Sequence, residues 1–418
     1  MKLELLGRML FSWIKVILPW LFVVLVIALL TWRYPNYQQR THSTQKSDRE
    51  TVLIPGVSAK QTEHLIEQAA PGINNSFEWS KDLRDTLAVH HLELSRENIC
   101  AMIAVISQES SFAANPSISV LSEKDLRVLA TKWIKLPLFE RHNERSFIAW
   151  LRHKPTIRNS YWKRFRNAKT ERELDWTYRK MISDTLSWSS KDNNVLQNNV
   201  LLRNLLEDAN EISTIGSMQV AVSFAMQIEE QRITRPLNLE EVWAMRDRMY
   251  TRKGGMYYGA LLLLGYDVGY DKKLYRFADF NAGRFASRNA AFQATVAELL
   301  GKPVTADGDL LMYDPQGKPA TTVSNSEHAI NEIIQKYDLG LTAIEIHNDL
   351  LQEKQINFSH TQTYQIIRQH YQKLMHKQAL TAIVPNIVLR SEKNTEMMST
   401  EKFTNTVNSR YQQCMGER

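Results

Sequence analysis

With 418 residues, 43% of them hydrophobic and 23% charged, the chain has the composition of an ordinary globular protein with apolar content for one or two cores, which excludes general disorder. Two cysteines, Cys100 and Cys414, exclude a disulfide scaffold and leave one bridge open, while the 11 histidines form no HExxH or Cys/His set at ligand spacing, so no metal and no other cofactor is expected. The formal charge of +7 is concentrated between Arg127 and Lys180, where Lys and Arg interleave with Trp133, Phe139, Trp150, Tyr161, Trp162, Phe165 and Trp176. Such a segment suits an anionic polymer, membrane head groups or nucleic acid, although a solvated helical face with its aromatics in the core is the commoner outcome.

From the N-terminus, a tail of residues 1–10 leads into Phe11 to Trp32, FSWIKVILPWLFVVLVIALLTW, which carries only Lys15 as a charge. Its uncharged length and its flanking Trp13, Trp20 and Trp32 predict a membrane-spanning helix over 11–32,. No A-x-A-like site follows and no cysteine is near enough to lipidate, so an uncleaved signal anchor is expected. Lys2, Arg8 and Lys15 precede the span and Arg33, Arg40, Lys46 and Arg49 follow it, which leaves orientation open to the positive-inside rule. The shortness of the tail favours a cytoplasmic N-terminus with the rest of the chain on the other side. Residues 33–50 are polar and read as a tether,.

Helical patterns then dominate, over 81–94, 95–110, a long basic stretch to about 211, 218–231, 239–249, 256–264, 274–280 and 287–300,. From about 304 the chain turns loop-like, with a small hairpin in ADGDLLMYDPQGKP, before helices return over 326–337, 342–353 and 361–377. Strand signals are weak throughout, so the fold class is mainly α.

Three short segments carry chemistry. In AVISQESSFAANP, Ile99, Met102, Ile103 and Ile106 recur at helical spacing and Glu109 extends the same face, so this carboxylate points toward the core. Ser95 is the expected N-cap, and Asn115 before Pro116 ends the helix near 110–114,. Apolar neighbours and the negative end of the helix dipole both favour a protonated Glu109, as a general acid requires; a glutamate that snorkels to water is the bland alternative. In ISTIGSMQVAVSF, Gly216 is expected to open a helix with Met218 and Gln219 in its first turn, where the amide offers both a donor and an acceptor. In YRFADFNAGR, an aromatic helix ends in Asn-Ala-Gly, which by itself is a helix stop.

Together and in this order, the segments resemble the motif set of the Slt-type lytic transglycosylases, relatives of goose-type lysozyme. That family has a helix ending in a catalytic Glu-Ser, a Gly-Leu-Met-Gln turn and an Ala-Tyr-Asn-Ala-Gly helix end. The matching residues here are Glu109 and Ser110 with Phe112 following, then Gly216, Ser217, Met218 and Gln219, then Asp279, Phe280, Asn281, Ala282 and Gly283. The resemblance covers roughly 81–115 and 211–300. Ser217 stands in place of the family's leucine, Phe280 of its tyrosine and Asp279 of its alanine, and residues 117–210 form an insertion between the first two motifs.

The resemblance implies a lysozyme-like helical domain over 51–303 with the basic insertion inside it and a helical C-terminal extension over 304–418. It implies a peptidoglycan lytic transglycosylase of the inner membrane, facing the periplasm, that cuts the bond between N-acetylmuramic acid and N-acetylglucosamine. Glu109 would be the single acid and base, and attack by the muramic 6-hydroxyl would leave 1,6-anhydro ends. Ser110, Phe112, Gly216, Met218, Gln219, Phe280 and Asn281 would bind substrate: Phe112, Met218 and Phe280 as an apolar wall around Glu109, Gln219 and Asn281 on the N-acetyl groups. Partners would be glycan strands, the membrane through 11–32 and cell-wall machinery, and no nucleic acid is expected. The alternatives are a non-catalytic peptidoglycan-binding or scaffold protein, and a muramidase-type hydrolase using Asp279 or Glu211 as second carboxylate. Asp279, two residues before Asn281, should point away from substrate to solvent or a basic partner.

Overall fold

The computed structural model describes residues 56–188, 198–313, 317, 319–389 and 398–416. The expected membrane span and tether lie outside the described residues, and among the described ones no helix is long and apolar enough to cross a membrane.

Helices α1 (Ala59–Ala69), α2 (Ser76–Val89) and α3 (Arg96–Glu109) come first. The helix expected over 81–94 is α2, shifted toward the N-terminus, because His91 takes a left-handed φ of 54° and the Leu94 carbonyl accepts from Val57 N at 3.0 Å. That extended exit frees Ser95 to cap α3, its hydroxyl accepting from Asn98 N. The expected amphipathic stripe on α3 is an underestimate: every residue from Ile99 to Ser107 is buried, so the helix runs through the core rather than along it,.

The insertion is helical: α4 (Glu123–Trp133), α5 (Glu144–His153), α6 (Tyr161–Asn167), α7 (Glu171–Trp188) and α8 (Val200–Ala209). Of its aromatics, Trp133, Phe139, Tyr161, Trp162 and Phe165 are buried, while Trp176 stays exposed. The aromatic signal is therefore chiefly that of a core. A buried ion network fastens this lobe to the body. Asp175 accepts from Arg179 Nε at 2.9 Å, Arg246 Nε at 2.9 Å and Asn210 Nδ2 at 2.7 Å, and Arg246 Nη1 reaches Glu207 at 2.7 Å. Removing one member would strand a buried charge.

Next comes a hairpin, β1 (Thr214–Ile215) against β2 (Val220–Ala221), with Thr214 opposite Ala221 and Ile215 opposite Val220. The helix expected to include Met218 and Gln219 begins only after it, as α9 (Val222–Ile233). The backbone decides this, since Gly216 has φ 85° and Gln219 has φ 48°, and neither fits a right-handed helix,. Helices α10 (Leu239–Met249), α11 (Arg252–Leu264), α12 (Lys273–Ala282) and α13 (Ala286–Leu300) follow.

Helix α13 gives Phe292, Val296, Leu299 and Leu300 to a second core, shared with α14 (Asn325–Lys336), α15 (Ala343–Leu350) and α16 (Gln362–Met375). Among the described residues of 306–319, the expected hairpin shows an isolated bridge between Tyr313 and Pro319. A short antiparallel pair, β3 (Val388–Leu389) with β4 (Met398–Ser399), precedes α17 (Thr400–Met415). This last helix departs from the extension expected beyond 304. Its Phe403, Val407 and Cys414 join the first core. Cys414 is disulfide-bonded to Cys100 of α3, and Phe277 of α12 meets Tyr411 edge-on at 5.5 Å. Helix α17 thus ties the first-motif helix to the third.

Candidate active site

Glu109 is the last residue of α3. The helix stops there because Ser111 and Phe112 both take left-handed backbones, at φ 51° and 65°. Two successive non-glycine residues in that region cost about 1–3 kcal/mol each, a strain that tends to gather at functional sites. Two contacts hold the reversal: Phe112 is buried edge-on against Trp79 at 5.3 Å, and Ser110 Oγ donates to Ser217 O at 2.8 Å while accepting from Ala113 N at 3.2 Å. The Ser110 bond brings the first motif onto the second, across a separation of 107 residues.

The Glu109 carboxyl is half-buried, and burial raises its pKa from 4.5 to about 7. A raised pKa does not single it out, because Asp279 and Glu353 are raised by burial too, to about 6 and about 7. Partners do. Glu353 accepts from Leu311 N at 3.2 Å, Leu310 N and the Tyr313 hydroxyl. Asp279 accepts from Tyr266 OH at 3.0 Å, Tyr270 OH at 2.8 Å, Phe285 N at 3.0 Å and Ser287 N at 2.6 Å. Among the described residues, Glu109 has no hydrogen-bond or ion-pair partner. A carboxyl that burial raises and no neighbouring side chain or backbone group engages is a candidate for chemistry.

Asp279 corrects the sequence reading. It is fully buried and turned neither to solvent nor to a basic partner; its four donors make it the knot of the turn between α12 and α13. A carboxylate so occupied is a poor general base. Asn281, two residues on, accepts from Thr400 Oγ1 at 2.8 Å, which ties the third motif to the first residue of α17.

The second motif forms the tip of the hairpin. A Cβ at Gly216 would lie 2.5 Å from Met249 O, and its φ of 85° disfavours any side chain, so glycine is required for close approach and for conformation alike,. Met218 is fully buried against α11, where a Cβ on Gly259 would come 2.2 Å from its sulfur. Phe112, Met218 and Phe280 are buried in one core cluster, so they are packing residues first. Ser217, at the family's leucine position, is fully buried, and its hydroxyl lacks a partner among the described residues. An unsatisfied buried hydroxyl costs about 1–3 kcal/mol. Ser217→Ala is accordingly expected to raise the unfolding free energy by about 1 kcal/mol in denaturant titration, since the Ser110 bond uses only the Ser217 carbonyl.

Gln219 departs most from expectation. Its Nε2 donates to Glu171 Oε2 and to Gly216 O, both at 3.1 Å, and its Oε1 accepts from Thr214 Oγ1 at 2.9 Å. The amide is held inside the hairpin, with Glu171 as its outward partner. Glu171 belongs to the lobe and was not legible as a site residue. Segment 116–118 pairs with 169–171 just beyond the first motif: Ile118 N donates to Lys169 O at 2.9 Å and Glu171 N to Pro116 O at 3.1 Å. Asn115 Oδ1 accepts from Arg172 N at 3.1 Å. The Asn-Pro pair that ends the first motif therefore also seats the first turn of α7. Burial, with a smaller push from Asp175, raises Glu171 to about 7 against the lowering effect of the Gln219 bond. Glu211, the other carboxylate considered, is partly exposed. Two surface depressions, one against Pro303 and His328 and the other against Arg235 and Pro236, share no lining residue with this site.

Comparison with known proteins covers the whole region. Among curated proteins, the chain is similar to the uncharacterized protein YaiW of Escherichia coli (strain K12), with 31% identity over 370 residues, 87% of this chain and 92% of that protein. No solved structure matches significantly. A family model described as protein of unknown function (DUF1615) matches residues 72–417, a span that contains all three motifs, the helical lobe and both cysteines. The chain belongs to the DUF1615 family.

Proposed function

We propose that this chain is a membrane-anchored lytic transglycosylase that cuts the glycan strands of peptidoglycan, with Glu109 as its acid and base. The observation that carries the reading is the unpartnered carboxyl of Glu109, half-buried at the end of a core helix and raised to about 7. The Ser110–Ser217 bond, which brings the second motif of the resemblance onto the first, supports it. A protonated Glu109 gives its proton to the glycosidic oxygen as the bond to the anomeric carbon breaks. The resulting carboxylate takes the proton of the muramic 6-hydroxyl as that oxygen closes on the same carbon, so one group serves both steps and no water is consumed. Asn281, whose amide nitrogen has no partner among the described residues, retains donors for an acetamido oxygen.

The lysozyme-like fold, the inner-membrane anchor over 11–32 and the periplasmic placement of the rest belong to this same reading. The Cys100–Cys414 bridge supports the last of these, since structural disulfides persist in oxidising compartments,. A reporter that works only in the cytoplasm, fused after residue 50, is expected to be silent; activity would remove peptidoglycan as a substrate. Ser217 and Phe280, which depart from the family's second and third motifs, favour a second reading, a non-catalytic peptidoglycan-binding protein. Incubation of the purified chain with sacculi separates the two, release of soluble muropeptides being expected of the first and bound, uncut sacculi of the second.

A further inference from the structure

We propose that Glu171, contributed by the helical lobe, is the side chain that grips an acetamido group of the glycan strand at the hairpin, in the place the motif resemblance gives to Gln219. This rests on the glycan-cutting reading above and adds to it a residue and a structural element that the motifs do not contain.

The geometry starts from Gln219. Its carbonyl and amino groups are spent on Thr214, Gly216 and Glu171, so its role is to hold Glu171 rather than to reach substrate. Glu171 is bound through Oε2 alone; among the described residues its Oε1 has no hydrogen-bond partner, and the side chain keeps partial exposure. Its position is fixed on two sides. Pro116 O and Asn115 Oδ1 receive the first two N–H groups of α7, so the start of that helix is seated on the strand leaving the Glu109 motif. On the other side, the hairpin carrying Gln219 is bonded through Ser217 O to Ser110, the neighbour of Glu109. Ser110, the neighbour of Glu109, and Glu171 are thereby bonded to two residues of one four-residue turn, Ser217 and Gln219. The lobe is not an appendage on this view; its first-turn carboxyl completes the site.

The chemistry follows from protonation. The titratable groups beside Glu171 are Asp175, one turn along α7 and itself neutralised by Arg179 and Arg246, and Tyr250 at the end of α10. As the neutral acid, Glu171 donates from Oε1 to an acetamido oxygen and repels no anionic peptide stem. As the carboxylate, it can do neither.

The test uses the full chain carrying Glu109→Gln, which cannot cut, and measures binding to intact sacculi by co-sedimentation at pH 6 and pH 8. The parent is expected to bind about 3–10-fold more tightly at pH 6, in keeping with a group that titrates near 7,. Adding Glu171→Gln, which fixes a neutral donor in the same shape, should keep the tight binding at both pH values. Adding Glu171→Ala should give weak binding at both. A pH dependence that survives Glu171→Gln, or an alanine variant that binds like its parent, overturns the proposal. In the otherwise wild-type chain, reducing-end products that disappear with Glu171→Gln would make Glu171 a water-activating base and overturn the binding role. Absence of any cutting by the wild type would count against the enzyme reading instead, since the binding measurements do not need turnover.

Discussion

Glu109→Gln is expected to lower glycan cleavage by about 10³-fold or more while leaving folding and sacculus binding nearly intact. Acid–base catalysis by one placed group contributes about 10²–10⁴-fold, and in the proposed reaction a single group serves both the protonation and the deprotonation step. The amide fits the same space between the end of α3 and the left-handed turn at Ser111 and Phe112, and it deprives no neighbour of a partner, because Glu109 has none among the described residues. Stability supplies a second signature. Folding raises the Glu109 pKa from 4.5 to about 7, so the native state prefers the protonated form. The wild type therefore loses stability as pH rises from about 4.5 through about 7, and the glutamine variant does not share that loss. Glu171 and Glu353 are raised in the same direction but are common to both proteins and cancel in the difference. Denaturant midpoints at pH 5 and pH 8 should show the variant gaining on the wild type at the higher pH. A constant difference would mean that Glu109 titrates as an ordinary surface carboxylate.

The second large effect belongs to the bridge. Replacing Cys100 and Cys414 together by serine should lower the unfolding free energy by about 2–5 kcal/mol, because the bond closes a loop with a sequence separation of 314,. The loss should also reach the site. Helix α17 holds α3 through Arg410 Nη1 to Ser107 Oγ at 2.8 Å, and its Cys414 carbonyl accepts from Arg96 Nη2 at 2.8 Å. At its other end Thr400 holds Asn281. These polar contacts remain without the sulfurs, so the variant should fold, with a lower denaturant midpoint and faster exchange of amide protons along α17. Equal midpoints with and without reductant would show that packing alone fixes the helix.

What the sequence revealed and what it hid divide by the range of the contacts. Helix α3 was legible because its signals are local: Ser95 caps it and apolar residues recur along it, although the left-handed backbones at Ser111 and Phe112, ahead of Asn115–Pro116, are what end it. The place of Glu109 at its end followed from the same few residues. The hairpin was hidden because its strands are two residues each, too short for any alternation, and the apolar residues after Gly216 read as the helix that begins only at Val222. Glu171 left no trace in its own neighbourhood, since what makes it a site residue is the pairing of 169–171 with 116–118 and a bond to Gln219, 48 positions away. Asp279 was misjudged for a related reason. Its step along α12 predicts a side chain turned from the face of Asn281, but the donors that surround it come from Tyr266 and Tyr270 before the helix and from the backbone after it.

The central claim is that a single carboxyl acts as acid and then base on a glycan that closes upon itself. The most direct measurement is the mass of the muropeptides that the purified chain releases from intact sacculi. Ends lighter than hydrolytic ends by one water, present with the wild type and absent with Glu109→Gln, are the predicted result. Release of reducing ends, or release that survives in the Glu109→Gln variant, would contradict it.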